Sequence, residues 1–238
     1  MSMRLDKYLC SCGLGTRSEV KKIIRSKRVK VNEITVENSD YKVDENSIVK
    51  LDGKIVEYNK YNYIMLNKPA GYLSATKDNN RDTIIELLDE KYKKIGLFPV
   101  GRLDKDTVGL VILTNDGDFA HNTLSPKKHV YKTYIAHIEG ALPYNAKEIF
   151  NKGLILKDFT CESADLIIEK TYDCYTRVRI TIHEGKYHQI KRMFLALNCK
   201  VIYLKRISFG EIELDNSLKE GEYRLLKEKE MEFVKTVR

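Results

Sequence analysis

The sequence predicts an α+β protein with a small N-terminal domain and a larger domain in which helices flank a mixed, largely antiparallel β-sheet. Short runs of alternating apolar and polar residues, separated by turn residues, are typical of strands. Several of these runs follow one another through short turns, which favours antiparallel pairing. Longer runs have apolar residues spaced three and four apart, as in amphipathic helices. Apolar residues make up 42% of the 238 residues, which is enough for a core.

The N-terminal domain is predicted to span residues 1–57 and to begin with a helix in RLDKYLCSCGL, where Leu5, Tyr8 and Leu9 share one face. A second helix, RSEVKKIIRSK, follows. Thr16 and Glu19 fit a capping box at its start, because they stand at the N-cap and three residues later. RVKVNEITV and SIVKLDGKIV are predicted as strands, with turn residues NE and DG.

The short polar and aromatic stretch YNKYN, residues 58–62, is predicted to link this domain to a second domain at 63–238. In the second domain, strands are predicted in YIMLNKPAG, LVILTND, KTYIAHIEG, DLIIEK and TRVRITIHEG, and a strand or hairpin in VIYLKRISFGEIEL. Helices are predicted in DTIIELLDEKY, FAHNTL, residues 146–152 and HQIKRMFLALN.

The bulk composition favours a cytoplasmic protein with a polyanionic partner. No apolar run approaches the roughly 20 residues that cross a bilayer, and MSMRLDKYLC lacks the apolar stretch of a signal peptide. An odd number of cysteines without an export signal favours reduced thiols. The net charge of +8 and the pI of about 9.0 suit a nucleic acid, and equally describe a lysine-rich, soluble surface. The five cysteines are Cys10, Cys12, Cys161, Cys174 and Cys199.

Basic residues are concentrated in and after the second predicted helix. Residues three and four apart share a helix face, so Arg17, Lys21 and Arg25 align. Such a stripe suits the phosphates of structured RNA, and it is also what the solvated face of an ordinary amphipathic helix looks like. Spacing alone leaves both readings open. The basic residues are Arg17, Lys21, Lys22, Arg25, Lys27, Arg28 and Lys30.

The stretch GRLDKDTVGL places Asp104 and Asp106 two residues apart. A calcium loop is excluded, since Val108 and Asn115 occupy positions where such a loop needs oxygen ligands. An aspartic-protease site is excluded as well, because no second copy of the motif supplies the partner carboxylate. From these residues alone a turn is the plain interpretation, with Arg102 able to pair with either acid.

The N-terminal motifs RLDKYL, TRSE and VKVN resemble the S4-like RNA-binding domain. The sequence departs from that family's common pattern at Ser26 and Lys27 and at Glu33, where glycines are frequent. GRLDKDTVGLVILTNDGD, with NKPAGYLSA before it and KTY and EGKYHQIKRM after it, resembles the RsuA-like pseudouridine synthases. That branch carries an N-terminal S4-like domain, and the resemblance extends over nearly the whole chain.

The resemblance implies roles for individual residues. Asp104 matches the catalytic aspartate, and Asp106 falls in the loop that presents it. Tyr134 matches the active-site tyrosine, whose ring stacks on the displaced uracil; without the motif it would be an ordinary strand tyrosine. Lys191 matches the basic residue that pairs with the aspartate. Arg192 is its neighbour on the predicted helix, and only one of the two can face Asp104.

Further positions are implied to support the site or to bind RNA. His188 and Gln189 support the site, and Leu204 packs against the target base or the catalytic loop. Arg102 fills the gap left by the flipped base, while Lys68, Pro69 and Gly71 shape the wall of the site. The basic residues Arg17, Lys21, Lys22 and Arg25 dock RNA.

The resemblance implies that no cofactor or metal is needed. A metal role for His188 is not expected, because His183 and His188 lack nearby carboxylate or thiol ligands in a set. The expected function is isomerisation of one uridine in 16S rRNA, of the uridine 516 type. The segment LSPKKHVYKTY resembles small-subunit enzymes most. The alternatives are a 23S rRNA enzyme of the same family and a non-catalytic RNA-binding protein of ribosome assembly. We expect a monomer with ribosomal RNA as its partner and no membrane association.

Overall fold

The structure is a computed structural model, and it describes residues 2–125 and 128–238. Backbone contacts divide the chain into two units. One contains the chain up to Asn62 together with Ile85–Phe98, and the other contains Tyr63–Ile84 and Pro99–Arg238. The assignment of residues 1–57 and 63–238 as separate domains, joined by a linker at 58–62, stays a prediction.

The first unit combines helices with short strands. Its elements are β1 (Met3–Arg4), α1 (Leu5–Ser11), α2 (Arg17–Arg25), β2 (Val29–Val31), β3 (Ile34–Thr35), β4 (Lys42–Val43), β5 (Val49–Leu51), β6 (Lys54–Ile55) and α3 (Glu90–Lys93). Strands β3, β2, β5 and β6 form a four-stranded sheet in that order, and β1 pairs with β4.

Helices α1 and α2 form as the sequence predicts, because each buries an apolar face. Leu5 and Leu9 of α1 and Val20 and Ile24 of α2 are fully buried in one core. The predicted capping box closes the start of α2: Thr16 Oγ1 accepts from the Glu19 amide, and the Thr16 amide donates to Glu19 Oε2 at 2.7 Å.

The turns of the small sheet form without the glycines that are frequent in S4-like domains. Asn32 and Glu33, between β2 and β3, both have positive φ angles of 49° and 66°. The Asn32 side chain accepts a hydrogen bond from the Ile48 amide, which offsets the cost of this conformation. The departure at Glu33 therefore leaves the hairpin intact.

The second unit contains the large sheet. Its elements are β7 (Tyr63–Lys68), β8 (Phe98–Val100), β9 (Val108–Thr114), α4 (Gly117–Leu124), β10 (Lys132–Glu139), α5 (Ala146–Lys152), β11 (Asp165–Thr171), β12 (Thr176–Ile182), α6 (Gln189–Leu195), β13 (Lys200–Phe209), β14 (Ile212–Glu213), β15 (Tyr223–Leu225) and α7 (Glu228–Val237).

The sheet runs in the order β11, β12, β10, β13, β9, β7 and β15, with β14 paired to β13 and β8 paired to β9. Strands β9 and β13 pair in parallel, and β7, β10, β12 and β15 pair with their neighbours antiparallel. The predicted α+β class with a mixed, largely antiparallel sheet is confirmed. Strand β12 alternates buried and half-buried residues, so one face of the sheet is packed and the other is open.

Two segments differ from the sequence prediction. The helix predicted in DTIIELLDEKY is wrong over most of its length, since only Glu90–Lys93 is helical. Thr83 instead bridges Leu73, and the Leu73 carbonyl accepts from the Ile84 amide, so this tertiary pairing overrides helix propensity. Helix α7 was not predicted; Phe233 anchors it by packing edge-on against Phe119 of α4. No helix in the described ranges is long and apolar enough to cross a membrane.

Candidate active site

The segment that carries Asp104 lies between β8 and β9 and is held by the NKPAGYLSA segment. The Ser74 hydroxyl accepts from the Leu103 amide and donates to the Leu103 carbonyl, both at 3.0 Å. The Gly71 amide donates to the Lys105 carbonyl at 2.8 Å. These bonds fix the backbone on both sides of Asp104, so its side chain projects from a rigid turn.

Lys68 is the central brace of this turn. Its side chain is fully buried, and its ammonium contacts four carbonyl oxygens, of Pro69, Asp104, Lys105 and Thr107, at 2.8–3.2 Å. Burial lowers the pKa of Lys68 to about 8, and the nearby carboxylates of Asp106 and Asp104 oppose that shift. Lys68 therefore stays protonated at neutral pH and gathers the backbone of the Asp104 loop around one cation.

Lys191 joins both aspartates of the loop. Its Nζ lies 3.1 Å from Asp104 Oδ2 and 2.6 Å from Asp106 Oδ1. Burial lowers the pKa of Lys191, but its hydrogen bonds to Asp106 and Asp104 outweigh burial and raise it overall. Burial likewise raises the pKa of Asp106, and the hydrogen bond and charge of Lys191 bring it below its usual value. The side chain of Asp104 is 28% exposed, and that of Asp106 is 74% exposed.

Lys191 and Arg192 follow one another in helix α6 but point in different directions. Arg192 points elsewhere and forms an ion pair with Asp158. His188, the N-cap residue of α6, has a left-handed backbone with φ of 49°, and its Nε2 lies 3.6 Å from Asp104 Oδ1. Asp104 thus has Lys191 and His188 on its two carboxylate oxygens.

Tyr134 and Leu204 lie on the neighbouring strands β10 and β13, close to the loop that carries Asp104. Leu204 pairs with Ala136, two residues after Tyr134 on β10, so both side chains lie on the packed face of the sheet. Both residues are less than a tenth exposed and line the same pocket as Asp104. The residues lining this pocket are Arg102, Leu103, Asp104, Thr107, Tyr134, Ile182, Gly185, Lys186, His188, Gln189, Ile190, Lys191 and Leu204.

Gln189 and Arg102 occupy different parts of the pocket. Gln189 is buried and its amide is engaged, since it donates to Glu184 Oε2 at 2.7 Å and accepts from the Lys186 amide at 3.1 Å. It braces the segment that precedes α6, with little left to offer a ligand. Arg102 is exposed at the mouth of the pocket.

The basic residues of α2 lie in the first unit and face solvent. Arg17, Lys22 and Arg25 are exposed, and Lys21 is half-buried. Within the described chain, no ion pair joins Arg17, Lys22 or Arg25 to an acid, whereas Lys27 and Arg28 pair with Glu37 and Asp52. Among the residues of α2, Arg17, Lys22 and Arg25 therefore carry positive charge that no described ion pair neutralises. We refer to Arg17, Lys21, Lys22 and Arg25 as the α2 basic surface.

Two features of the second unit were not visible in the sequence. The hydroxyl of Thr107 is buried in the Asp104 loop without a hydrogen-bond partner. His183, which has no ligand set nearby in the sequence, lies next to His129 and Glu162 in the structure, and the expectation of no metal site stays a prediction. Their separation in the sequence hides this cluster, and no local pattern could have revealed it. Pro126 and Lys127, in the segment LSPKKHVYKTY, fall outside the described residues.

Taken together, the second unit presents an ion-paired carboxylate, an aromatic hydroxyl and an apolar side chain in one pocket. The carboxylate can act as a nucleophile or as a base, and the ring and the leucine can hold a flat, partly apolar base. Such a set of groups suits an enzyme that modifies a nucleobase, and comparisons with known proteins show that class.

Residues 62–196 match the RNA pseudouridylate synthase family, and residues 3–49 match the S4 domain. The chain belongs to the RNA pseudouridine synthases, in their RsuA-like branch with an N-terminal S4 domain. It is similar to an uncharacterized RNA pseudouridine synthase, YtzG, of Bacillus subtilis, with 40% identity over 234 residues covering 98% of each chain.

A ribosomal small subunit pseudouridine synthase A of Vibrio cholerae is 39% identical over 232 residues, which cover 96% of this chain and 98% of the relative. A crystal structure of a pseudouridylate synthase has 36% identity and a TM-score of 0.66, covering 98% of this chain and 99% of the other. The similarity therefore includes both units.

Proposed function

We propose that the protein isomerises one uridine of 16S rRNA, of the uridine 516 type, with Asp104 as the catalytic residue. The observation that carries this proposal is the ion pair between Asp104 and Lys191 in a pocket that Tyr134 and Leu204 also line. The small-subunit target is supported by the name of the relative from Vibrio cholerae.

The reaction detaches uracil by breaking the bond between its N1 and the ribose C1′, and rejoins the base through C5. The proton on C5 is released, and N1 gains one. Asp104 serves as a nucleophile toward the sugar or the base, or as the base that removes a sugar proton. Lys191 orients the carboxylate, and the ring of Tyr134 stacks on the detached uracil so that it stays in place while it turns.

The substrate uridine must leave its stack to reach this pocket. Flipping a nucleotide costs a few kcal/mol of lost stacking. Arg102, exposed at the pocket mouth, occupies the vacated space, and Leu204 packs against the base inside. The α2 basic surface docks the surrounding rRNA through its phosphates. The proposed partner is therefore ribosomal RNA. The proposal includes a monomer located in the cytoplasm.

The test measures tritium release from rRNA labelled at C5 of uracil, with Asp106→Asn as the matched control for Asp104→Asn. We expect release by the wild type and by Asp106→Asn, and none by Asp104→Asn, which still binds rRNA. Turnover by Asp104→Asn would refute the catalytic assignment. Failure of the wild type on both 16S and 23S rRNA would favour the non-catalytic alternative.

The choice of substrate is tested by giving the wild type 16S and 23S rRNA separately and by mapping pseudouridines in a deletion strain. The proposal expects one missing pseudouridine in 16S rRNA. A missing pseudouridine in 23S rRNA instead would leave the chemistry in place and replace the small-subunit target. The expected monomer is checked by light scattering of the full chain.

A further inference from the structure

Three metal-ligating side chains lie where neighbouring strands of the large sheet begin or end. His129 precedes β10, Glu162 precedes β11 and His183 follows β12. Strand β12 lies between β10 and β11 and is antiparallel to both, so the starts of β10 and β11 meet the end of β12 at one edge. One ligand atom from each of the three side chains lies within 4.8 Å of the others.

The three side chains contact one another directly. His183 Nδ1 lies 2.7 Å from His129 Nδ1, and His183 Nε2 lies 2.9 Å from Glu162 Oε2. A neutral imidazole has one donor nitrogen and one acceptor nitrogen. When His183 donates to Glu162, its Nδ1 accepts from His129, and a single proton lies between the two rings. A divalent cation can take the place of that proton.

The backbone around the cluster is held by a second set of contacts. The buried ammonium of Lys132 donates to the carbonyls of Val130 and His183 at 2.9 and 2.8 Å, and so ties the two histidine-bearing segments together. The Glu162 amide donates to Glu184 Oε2 at 2.8 Å. The side chain of His183 is only 14% exposed. His183 is therefore fixed in place, whereas the exposed side chains of His129 and Glu162 can turn toward an ion.

We propose that His129, Glu162 and His183 bind one first-row divalent transition-metal ion, with Zn²⁺ as the physiological occupant. Two imidazoles and one carboxylate suit Zn²⁺, and a fourth position stays open to water. Zn–N bonds of about 2.0–2.1 Å in a tetrahedral site need ligand atoms about 3.3 Å apart. The two imidazole nitrogens, now 2.7 Å apart, therefore have to separate by about 0.6 Å. The exposed carboxylate of Glu162, which contacts His183 Nε2, has to turn toward the Nδ1 side of that ring.

The bound ion ties the ends of β10, β11 and β12 together next to the active site. Beyond His183 the chain continues into Gly185 and Lys186, which line the pocket of Asp104. The ion therefore stabilises one wall of the pocket and takes no part in breaking or forming the bonds of uridine. Its presence is independent of the proposed catalytic role of Asp104.

The test titrates Zn²⁺ into the full, untagged, chelator-stripped chain by calorimetry and follows the melting temperature. We expect one Zn²⁺ per chain and a rise in melting temperature. Loss of groups that merely orient metal ligands weakens metal binding 10–100-fold, so His129→Ala and His183→Ala should each weaken it at least about tenfold. His121→Ala, which removes an exposed histidine of α4 outside the cluster, should change nothing.

Glu162→Gln keeps the shape of the side chain and removes one ligand. If a histidine variant fails to fold, the Zn²⁺ affinity of Glu162→Gln therefore tests the site in its place. Co²⁺ substituted for Zn²⁺ should show no thiolate charge-transfer band, because Cys161 is excluded from the proposed ligand set. The proposal is overturned if Zn²⁺ does not bind, if binding survives in all three cluster variants, or if Co²⁺ reports a thiolate ligand. Each result stands whether or not Asp104→Asn is inactive.

Discussion

The ammonium of Lys191 lies 2.6 Å from Asp106 Oδ1, closer than the 3.1 Å that separates it from Asp104 Oδ2. The two aspartates of GRLDKDTVGL therefore share one cation. From the sequence, Asp106 is expected only to form part of the loop that presents Asp104. In the structure this exposed carboxylate also forms an ion pair with Lys191. This second contact limits the positions that Lys191 can take beside Asp104.

Two substitutions of Lys191 distinguish the effect of its charge from the effect of its side-chain shape. Lys191→Met removes the cation from a half-buried carboxylate, and we expect catalytic efficiency to fall by about 30-fold, which corresponds to about 2 kcal/mol. Lys191→Arg keeps the charge and should retain most of the activity. Tritium release under single-turnover conditions measures both variants. Equal activity of Lys191→Met and the wild type would contradict the role of the ion pair.

The pair between Asp106 and Lys191 makes stability depend on pH. The folded pKa of Asp106 lies below its ordinary value of 3.8, so its contribution is present above that pH and is lost as the pH falls through the folded pKa. Because Asp106 is largely exposed, Asp106→Asn should lower the free energy of unfolding at neutral pH by less than about 1 kcal/mol. Urea unfolding should show this difference vanishing in acid, and a difference that persisted there would exclude the ion pair as its cause.

Lys68 should contribute more to stability than any exposed lysine of the same loop. Lys68→Met leaves the carbonyls around its ammonium buried without a donor, and we expect a loss of about 3 kcal/mol in the free energy of unfolding. Lys105→Met, at an exposed position beside Asp104, is the matched control and should change it little. Urea unfolding compares the two. A small effect of Lys68→Met would show that the cation does not hold the loop.

Gly109 allows β9 and β13 to pair in parallel at the end of the Asp104 loop. Its φ is +100°, and a Cβ atom there would collide with the backbone of Arg206. Gly109→Ala should therefore cost about 3 kcal/mol of stability and reduce activity by displacing the loop. Gly117→Ala, where a Cβ meets nothing within 4 Å, is the control. Thermal unfolding that is equal in the two variants would contradict this reading of Gly109.

The α2 basic surface should determine how rRNA binding responds to salt. Removing a lysine or arginine that contacts a phosphate lowers the salt slope by about one unit. We expect such a change for Arg17→Ala, Lys22→Ala and Arg25→Ala. A smaller change is expected for Lys229→Ala, an equal loss of charge at an exposed position of α7. Binding isotherms at several salt concentrations measure the slopes. Identical slopes in all four variants would remove α2 from the RNA interface.

Features that depend on residues close together in the sequence could be predicted from the sequence alone. The capping box of α2, the apolar faces of α1 and α2 and the alternation in β12 all arise within a few residues. The order of the motifs also gave the family and singled out Asp104 from Asp106. Helix propensity gave a wrong prediction around Thr83, where the bridge to Leu73 replaces the helix.

The contacts that organise the site were decided by the tertiary structure. Lys68 reaches carbonyls up to 39 residues away, Lys191 reaches Asp106 across 85 residues, and His129 meets His183 across 54. Each depends on which strands pair and in which register. A shift of one residue in β7, for example, would turn Lys68 to the opposite face of the sheet. The sequence alone could therefore name the residues of the Asp104 site, and only the paired strands could bring them, and the cluster at Glu162, together.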